Sequence, residues 1–407
     1  MTAPVTPTSA DPRDRRARAA VGLLFLSNGT LFAGLLPRYP EIKAQLALSN
    51  TAFGLSVGAF AAGALLSGLT AGALIRRIGS ARVAVATSLL VALCTFAAAV
   101  ATVPAAFAAA LFAAGAADAV TDVAQNAHGL RVQRNYGRSI INSLHAVWSA
   151  GAVLGGLLGA GAIALGVSRA AQLGMTGIVF ATACLVGYRF LLRGPDEPET
   201  PASDTAGAGR PTSRTWALIG MLALLAIAGA AVEDAGSSWA SLYLSAELHA
   251  PVALAAFGYV ALVGFQFVGR LVGDRLVDRF GERAVVRCGG LLAGAGMAAA
   301  LAAPAPVAVP VTICGFAAAG FGVASVAPAA FHGADTVPGL RPGSGLTAVT
   351  WFMRVGFLAA PALVGAVADA AGLRVGLVIV PLAGLLIAVS AEVLPRHVPG
   401  TTARRAY

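Results

Sequence analysis

The chain has 407 residues, of which 57% are hydrophobic and 11% charged, and its mean hydropathy is +0.79. A soluble domain carries about 25% charged residues, so this composition excludes an ordinary soluble globular protein and makes lipid the solvent. The formal net charge of +10 would suit a nucleic-acid partner, but the charges sit between apolar runs rather than on one basic face, which excludes that partner.

A helix needs about 20 apolar residues to cross the hydrocarbon core. The first such run, near 19–36, follows Arg13, Arg15, Arg16 and Arg18 and ends in "LLPRYP". No small-residue cleavage site follows, so it is a retained helix and not a signal peptide. Asn28-Gly29-Thr30 inside it matches a glycosylation sequon by chance. Further runs lie near 52–75, 82–101, 104–128, 140–166 and 170–192. The segment 193–214, "RGPDEPETPASDTAGAGRPTSR", is rich in Pro, Ser, Thr, Gly and charge and reads as a flexible linker. Six more runs follow near 215–245, 252–273, 284–303, 306–333, 345–371 and 374–394. Stretches such as "GALLSGLTAG" and "GGLLGAGAIALG" supply the small residues that let helices pack in lipid. Strand alternation with period two is missing from the runs, which excludes a barrel.

The expected architecture is therefore an all-α polytopic membrane protein with twelve transmembrane helices. Its parts are a tail at 1–18, a six-helix half at 19–192, the linker at 193–214, a second half at 215–396 and a tail at 397–407. Twenty-three of the 28 basic residues fall on the side shared by the termini and linker. Only Arg38, Lys43, Arg169 and Arg374 fall opposite, and Arg354 lies within a helix. The positive-inside rule then places both termini in the cytoplasm, and the basic charge is a topology signal.

The two halves are parallel copies. "LIRRIG" (Leu74–Gly79) overlays "LVDRFG" (Leu276–Gly281), Val103-Pro104 overlays Val309-Pro310, and Gly166 meets Gly372.

Polar residues inside the apolar runs are the functional candidates. Asp118, Asp122 and Asn126, spaced i, i+4, i+8, form one stripe on the fourth helix. Asp118 lies roughly 21 Å along the axis from Pro104 at 1.5 Å per residue, near mid-membrane. An ionised side chain there costs about 2.5–3.5 kcal/mol even on the mild insertion scale. It persists facing a wet cavity or a partner. Such a carboxylate either carries a coupled proton or is a hydrogen-bonded strut between helices. On the fifth helix Asn142, His145 and Ser149 share a face, with Trp148 beside them. His145 lies at a depth comparable to Asp122, where a His–carboxylate pair is either a proton relay or a static contact. His128 and His332 sit at cytoplasmic helix ends, where snorkelling to the interface is expected. Glu233 and Asp234 are adjacent on the seventh helix, so only one can face a cavity squarely, and Gly236 permits a bend. Arg354 keeps its proton at depth and needs a carboxylate or an anionic ligand. Asn28, Trp239, Gln266 and Trp351 complete a set of polar and aromatic groups suited to a small polar solute.

Over essentially its whole length the chain resembles the major facilitator superfamily. That family carries G-x-x-x-D-R-x-G-R/K-R/K between its second and third helices. Here "GALIRRIGSAR" keeps Gly72, Arg77 and Gly79 but has Arg76 where Asp is usual. The second copy, "GDRLVDRFGER", begins at Gly273 and Asp274 and keeps Asp278, Arg279 and Gly281. The resemblance implies that these residues form a cytoplasmic charge latch, with Arg76 a departure in the first half. "DVAQNAHGLRVQRNYGRSIINSLHAVWSAGAVLGG" and "EDAGSSWASLYL" are similar to the fucose-permease-like branch.

Several chemistries are excluded. Lys43, the only lysine, follows no Gly, so no P-loop exists and nucleotide-driven transport is not expected. No H-E-x-x-H occurs, and Cys94, Cys184, Cys288 and Cys314 are far apart. No enzyme activity, cofactor or metal is expected. The expected function is secondary transport by alternating access, with protons as the coupling ion and a small-molecule substrate. The protein is expected to work as a monomer in the cytoplasmic membrane, with lipid around it and no nucleic-acid partner. Drug:proton exporters often carry Gly-Pro-x-x-Gly-Gly in the fifth helix, and "GAVLGGLLGAG" has no proline. That favours uptake of a sugar-like or other small polar solute. Efflux of a drug or metabolite is the alternative, and a non-transporting membrane sensor a second one.

Overall fold

A computed structural model describes residues 11–136, 139–194, 212–340 and 343–395. The expected tail at 397–407, most of the tail at 1–18 and positions 195–211 of the linker lie outside the described residues, as do Arg138 and Arg341.

Among the described residues, twelve helical spans are long and apolar enough to cross a membrane. They are α1 (Pro12–Gln45), α2 (Asn50–Gly68), α3 (Ser80–Val100), α4 (Pro104–Tyr136), α5 (Ile141–Ala164) and α6 (Arg169–Tyr188). The second set is α7 (Ser213–Glu247), α8 (Val252–Phe280), α9 (Glu282–Ala302), α10 (Ala305–Asp335), α11 (Ser344–Ala371) and α12 (Leu373–Val393). Each matches one expected run.

The interruptions inside spans have local causes. Residue 19 is not the start of α1: the helix begins at Pro12, where the Asp11 side chain accepts from Arg13 N at 2.9 Å. Where one run was expected at 52–75, α2 ends at Gly68 and a separate helix covers Ala71–Ile78. In α10 the helix stops at Val323 and restarts at Val326. Pro328 explains this, because its ring clashes with the carbonyl four residues back, that of Ala324. Pro381 acts in the same way on α12, which breaks between Gly376 and Ile379. In α7, Ala235–Trp239 and Tyr243–Glu247 are π-helical.

The repeat is visible in the backbone. Gly79 and Gly281 stand at matching positions with φ of 88° and 81°, and Gly166 and Gly372 with 65° and 90°. A side chain at these angles would be strained, so glycine is the physical requirement at each turn.

Two compact units emerge from the contacts. One comprises Met1–Arg38 and Ala59–Pro201, the other Tyr39–Gly58 and Ala202–Tyr407. Within the first, α1 lies against α5 and α6, and α3 against α4 and α6. Within the second, α7 packs in the same way on α11 and α12, and α9 on α10 and α12. Close backbone approach carries these seams: a Cβ on Gly155 would lie 2.4 Å from the Thr30 carbonyl oxygen. The first stretch of α2 associates with the second repeat, although the repeat pattern counts it with the first.

Candidate functional site

The polar stripe of α4 is tied to its neighbours by two short networks within the first unit. In the first, Asn28 of α1 stands between α4 and α5. Its Nδ2 donates to Asp118 Oδ1 at 2.7 Å, and its Oδ1 accepts from Trp148 Nε1 at 2.7 Å. Because indole is a donor only, this contact settles which way the amide points. Asn28 is 5% exposed, while Asp118 and Trp148 are half-buried. Gly29 allows the approach, since a Cβ there would lie 2.3 Å from the Trp148 carbonyl oxygen.

The second network lies one to two turns nearer the C-terminal end of α4. Asn126 Nδ2 donates to Asp122 Oδ1 and to the Asp122 carbonyl, both at 2.9 Å. With Nδ2 facing two acceptors, Oδ1 is the atom 3.1 Å from His145 Nε2, so that ring nitrogen carries the hydrogen. His145 is exposed and packs edge-on against Phe25, with ring centroids 5.3 Å apart. The expected pairing of His145 with Asp122 is thus extended through Asn126, a bridge that i, i+4 spacing alone did not assign. Ser149, on the same face, donates back to the His145 carbonyl at 3.2 Å. Asn142 is exposed on this helix.

In the second unit the adjacent acids of α7 part company. Glu233 Oε2 accepts from Gln266 Nε2 of α8 at 3.0 Å. Asp234, 6% exposed, turns back to its own helix and accepts from Ser238 Oγ at 2.9 Å. The π-turn begins at the next residue, and Gly236 lies so close to α8 that a Cβ would be 2.4 Å from Leu262 Cδ1. Such turns recur at functional positions. Trp239 is fully buried, edge-on to Phe53 at 5.3 Å. Trp351 is 53% exposed on α11 and packs against Phe352, and Arg354 is half-buried one turn further on.

The loop residues of the repeated motif occupy equivalent places. Gly79 and Gly281 each end one helix and begin the next. Arg76, Arg77, Asp274, Asp278 and Arg279 are exposed, Gly72 is half-buried, and the Arg279 guanidinium lies 5.3 Å from the Phe280 ring centre.

One expectation is corrected. His128 does not snorkel: it is fully buried. Leu192 N donates to its Nε2 at 3.2 Å, so Nδ1 carries the hydrogen toward Ser80 Oγ at 2.8 Å. Satisfying both ring nitrogens inside the unit outweighs reaching the interface. His332 is exposed as expected, and its Nδ1 meets Glu282 Oε1 at 2.7 Å.

Two copies of a six-helix repeat, with carboxylates and amides held within apolar spans, define a membrane transporter. The chain belongs to the major facilitator superfamily, whose family model matches residues 21–332. The transporter y4wD of Sinorhizobium fredii (strain NBRC 101917 / NGR234) is 30% identical over 372 residues, covering 91% of this chain and 96% of that protein. Membrane protein MosC of Rhizobium meliloti is 28% identical over 404 residues, 98% of this chain and 95% of that one. Among solved structures, the nucleoside transporter NupG aligns with a TM-score of 0.68 at 13% identity, over 94% of this chain and 98% of that chain. A D-xylose–proton symporter aligns with a TM-score of 0.70 at 14% identity, over 94% and 98%. At these identities the two structures establish the shared fold.

Proposed function

We propose that the protein is a proton-coupled secondary transporter of the fucose-permease-like branch, taking up a sugar-like or other small polar solute by alternating access. The observation that carries the reading is the Trp148–Asn28–Asp118 chain, which joins three helices around a carboxylate deep within the apolar spans. Asp118 or Asp122 carries the proton. His145, Glu233 and Asp234 are the other titratable groups of the apparatus, and Arg354 supplies a fixed positive charge. Asn126, Asn142, Gln266, Trp148, Trp239 and Trp351 offer amide and indole groups to the solute. Coupling requires that the carboxylate bind its proton more tightly in one state than in the other. The protein works as a monomer in the cytoplasmic membrane, without nucleic acid.

The test is made in vesicles with an imposed proton gradient and a panel of radiolabelled polar solutes. Asp118→Asn or Asp122→Asn at the coupling position is expected to abolish accumulation while sparing counterflow exchange, which moves no net proton. Undiminished accumulation by both variants would reduce the carboxylates to struts, and gradient-driven loss of solute from the vesicle lumen would reverse the direction. Both termini and the linker face the cytoplasm in this reading. A thiol introduced at Asp204 that reacts only with external reagent would overturn that topology.

A further inference from the structure

The first half of α2 is held in the second unit by a clamp that the solute and proton groups do not use. Asp369, in the last turn of α11, directs both carboxylate oxygens at the start of α2, accepting from Asn50 N and Thr51 N at 2.8 Å each. The hydroxyls of Ser49 and Thr51 bond to the same carboxylate. An anion at a helix N-terminus meets both unpaired N–H groups and the positive end of the helix dipole.

Below the clamp the two helices touch backbone to backbone. A Cβ on Gly54 would lie 2.1 Å from the Pro361 carbonyl oxygen, and one on Gly365 would lie 2.4 Å from that of Asn50. Gly54 and Gly58 are spaced as in the small-residue seams that join membrane helices. From Ala59 onward α2 belongs to the other unit, where Phe60 stacks on Phe32 at 4.2 Å and Gly63 abuts Phe112. One continuous helix is thus shared between two bodies. Any rearrangement that separates them must either bend α2 or part its first two turns from α11.

We propose that Asp369 is a gate latch on the side opposite the linker, and that its release lets the first half of α2 leave α11 during the transport cycle. The carboxylate suits this role because it is exposed. Water can therefore replace the backbone donors when the seam parts, whereas a buried cap would resist. The glycine seam beneath brings the two backbones into tight contact, and Phe53, edge-on to Trp239, is a side chain that must be withdrawn when it parts. The proposal rests on the transporter reading for its purpose, but the parting of the seam is measured without a solute.

The test uses full-length protein in nanodiscs, with the exposed Cys288 and Cys314 replaced by serine and a single thiol placed at Val57, which is 8% exposed and lies between the two seam glycines Gly54 and Gly58. Asp369→Asn is expected to raise the labelling rate of this thiol by a small impermeant maleimide about tenfold, the factor equivalent to ~1.4 kcal/mol. Asp369→Glu should restore most of the protection. An unchanged rate in a folded Asp369→Asn protein would overturn the latch. A second arm compares one protein with itself. The Ser49→Cys/Asp369→Cys pair, oxidised to a disulfide, is expected to lose solute movement in vesicles and to regain it on reduction. Equal movement in both redox states would make Asp369 a static cap. If the unmodified protein moves no solute from the panel, the transporter reading fails while the labelling arm still decides the latch.

Discussion

Replacing Asn28 by alanine and Trp148 by phenylalanine, singly and together, tests the network on which the functional reading depends. Asn28 makes two bonds of 2.7 Å and is 5% exposed, so water does not readily take its place. In a soluble core the bond to a carboxylate is worth about 1.5–3 kcal/mol and the indole bond about 1 kcal/mol. Within a bilayer, interhelical hydrogen bonds average only ~0.6 kcal/mol and reach ~1.7 kcal/mol, because the separated helices find other partners. The membrane values govern here. Asn28→Ala is then expected to cost roughly 1–3 kcal/mol, since it removes both bonds and leaves a small cavity. Trp148→Phe keeps most of the ring and removes one donor, at about 0.6–1.5 kcal/mol. If the bond exists, the double variant falls short of the sum by about 0.6–1.7 kcal/mol. Unfolding in mixed micelles, titrated with a denaturing detergent and followed by tryptophan fluorescence or circular dichroism, gives all four corners of the cycle. Additivity within about 0.3 kcal/mol would show that Asn28 and Trp148 do not interact, and the assembly around Asp118 would lose its central link.

Two further outcomes follow from the corrected histidine and from the motif loop. His128→Ala removes two bonded ring nitrogens from a fully buried position and is expected to cost about 2–4 kcal/mol. The exposed His332→Ala should stay within about 0.5 kcal/mol, and equal melting shifts for the two would contradict the burial of His128. Asp278→Asn, at an exposed loop position, is expected to leave stability within about 0.5 kcal/mol, shift the population inward-open and slow turnover, with solute binding retained. Spin-label distance distributions identical to those of the unmodified protein would remove Asp278 from gating.

The twelve spans were legible in the sequence because the bilayer makes the decision local. Every backbone group in hydrocarbon must bond within its own helix, so length and hydropathy of each run suffice. The repeat was equally legible, and Gly79 and Gly281 show why: a turn that needs positive φ accepts little but glycine, so a backbone angle leaves a mark in the residue type. Pro328 and Pro381 mark the breaks in α10 and α12, since each proline acts on a carbonyl four residues away in its own helix. Yet α11 runs unbroken through Pro361, so proline alone does not say where a helix breaks.

Partnership was decided only by the tertiary structure. The i, i+4, i+8 spacing placed Asp118, Asp122 and Asn126 on one face, yet it did not say that Asp118 meets Asn28, ninety residues away in the chain, or that Asn126 bridges Asp122 and His145. Those contacts depend on how far each helix is rotated and how closely its backbone approaches the next, which glycines such as Gly29 and Gly155 set through neighbours distant in sequence. The same dependence buried His128, which the apolar pattern placed at a helix end but which lies two turns inside α4. It also joined the start of α2 to Asp369, more than 300 residues further along the chain. Hydropathy and turn chemistry act over one helical turn and can be read from the chain in order. A side chain's partner is chosen by packing between helices, and no local pattern encodes it.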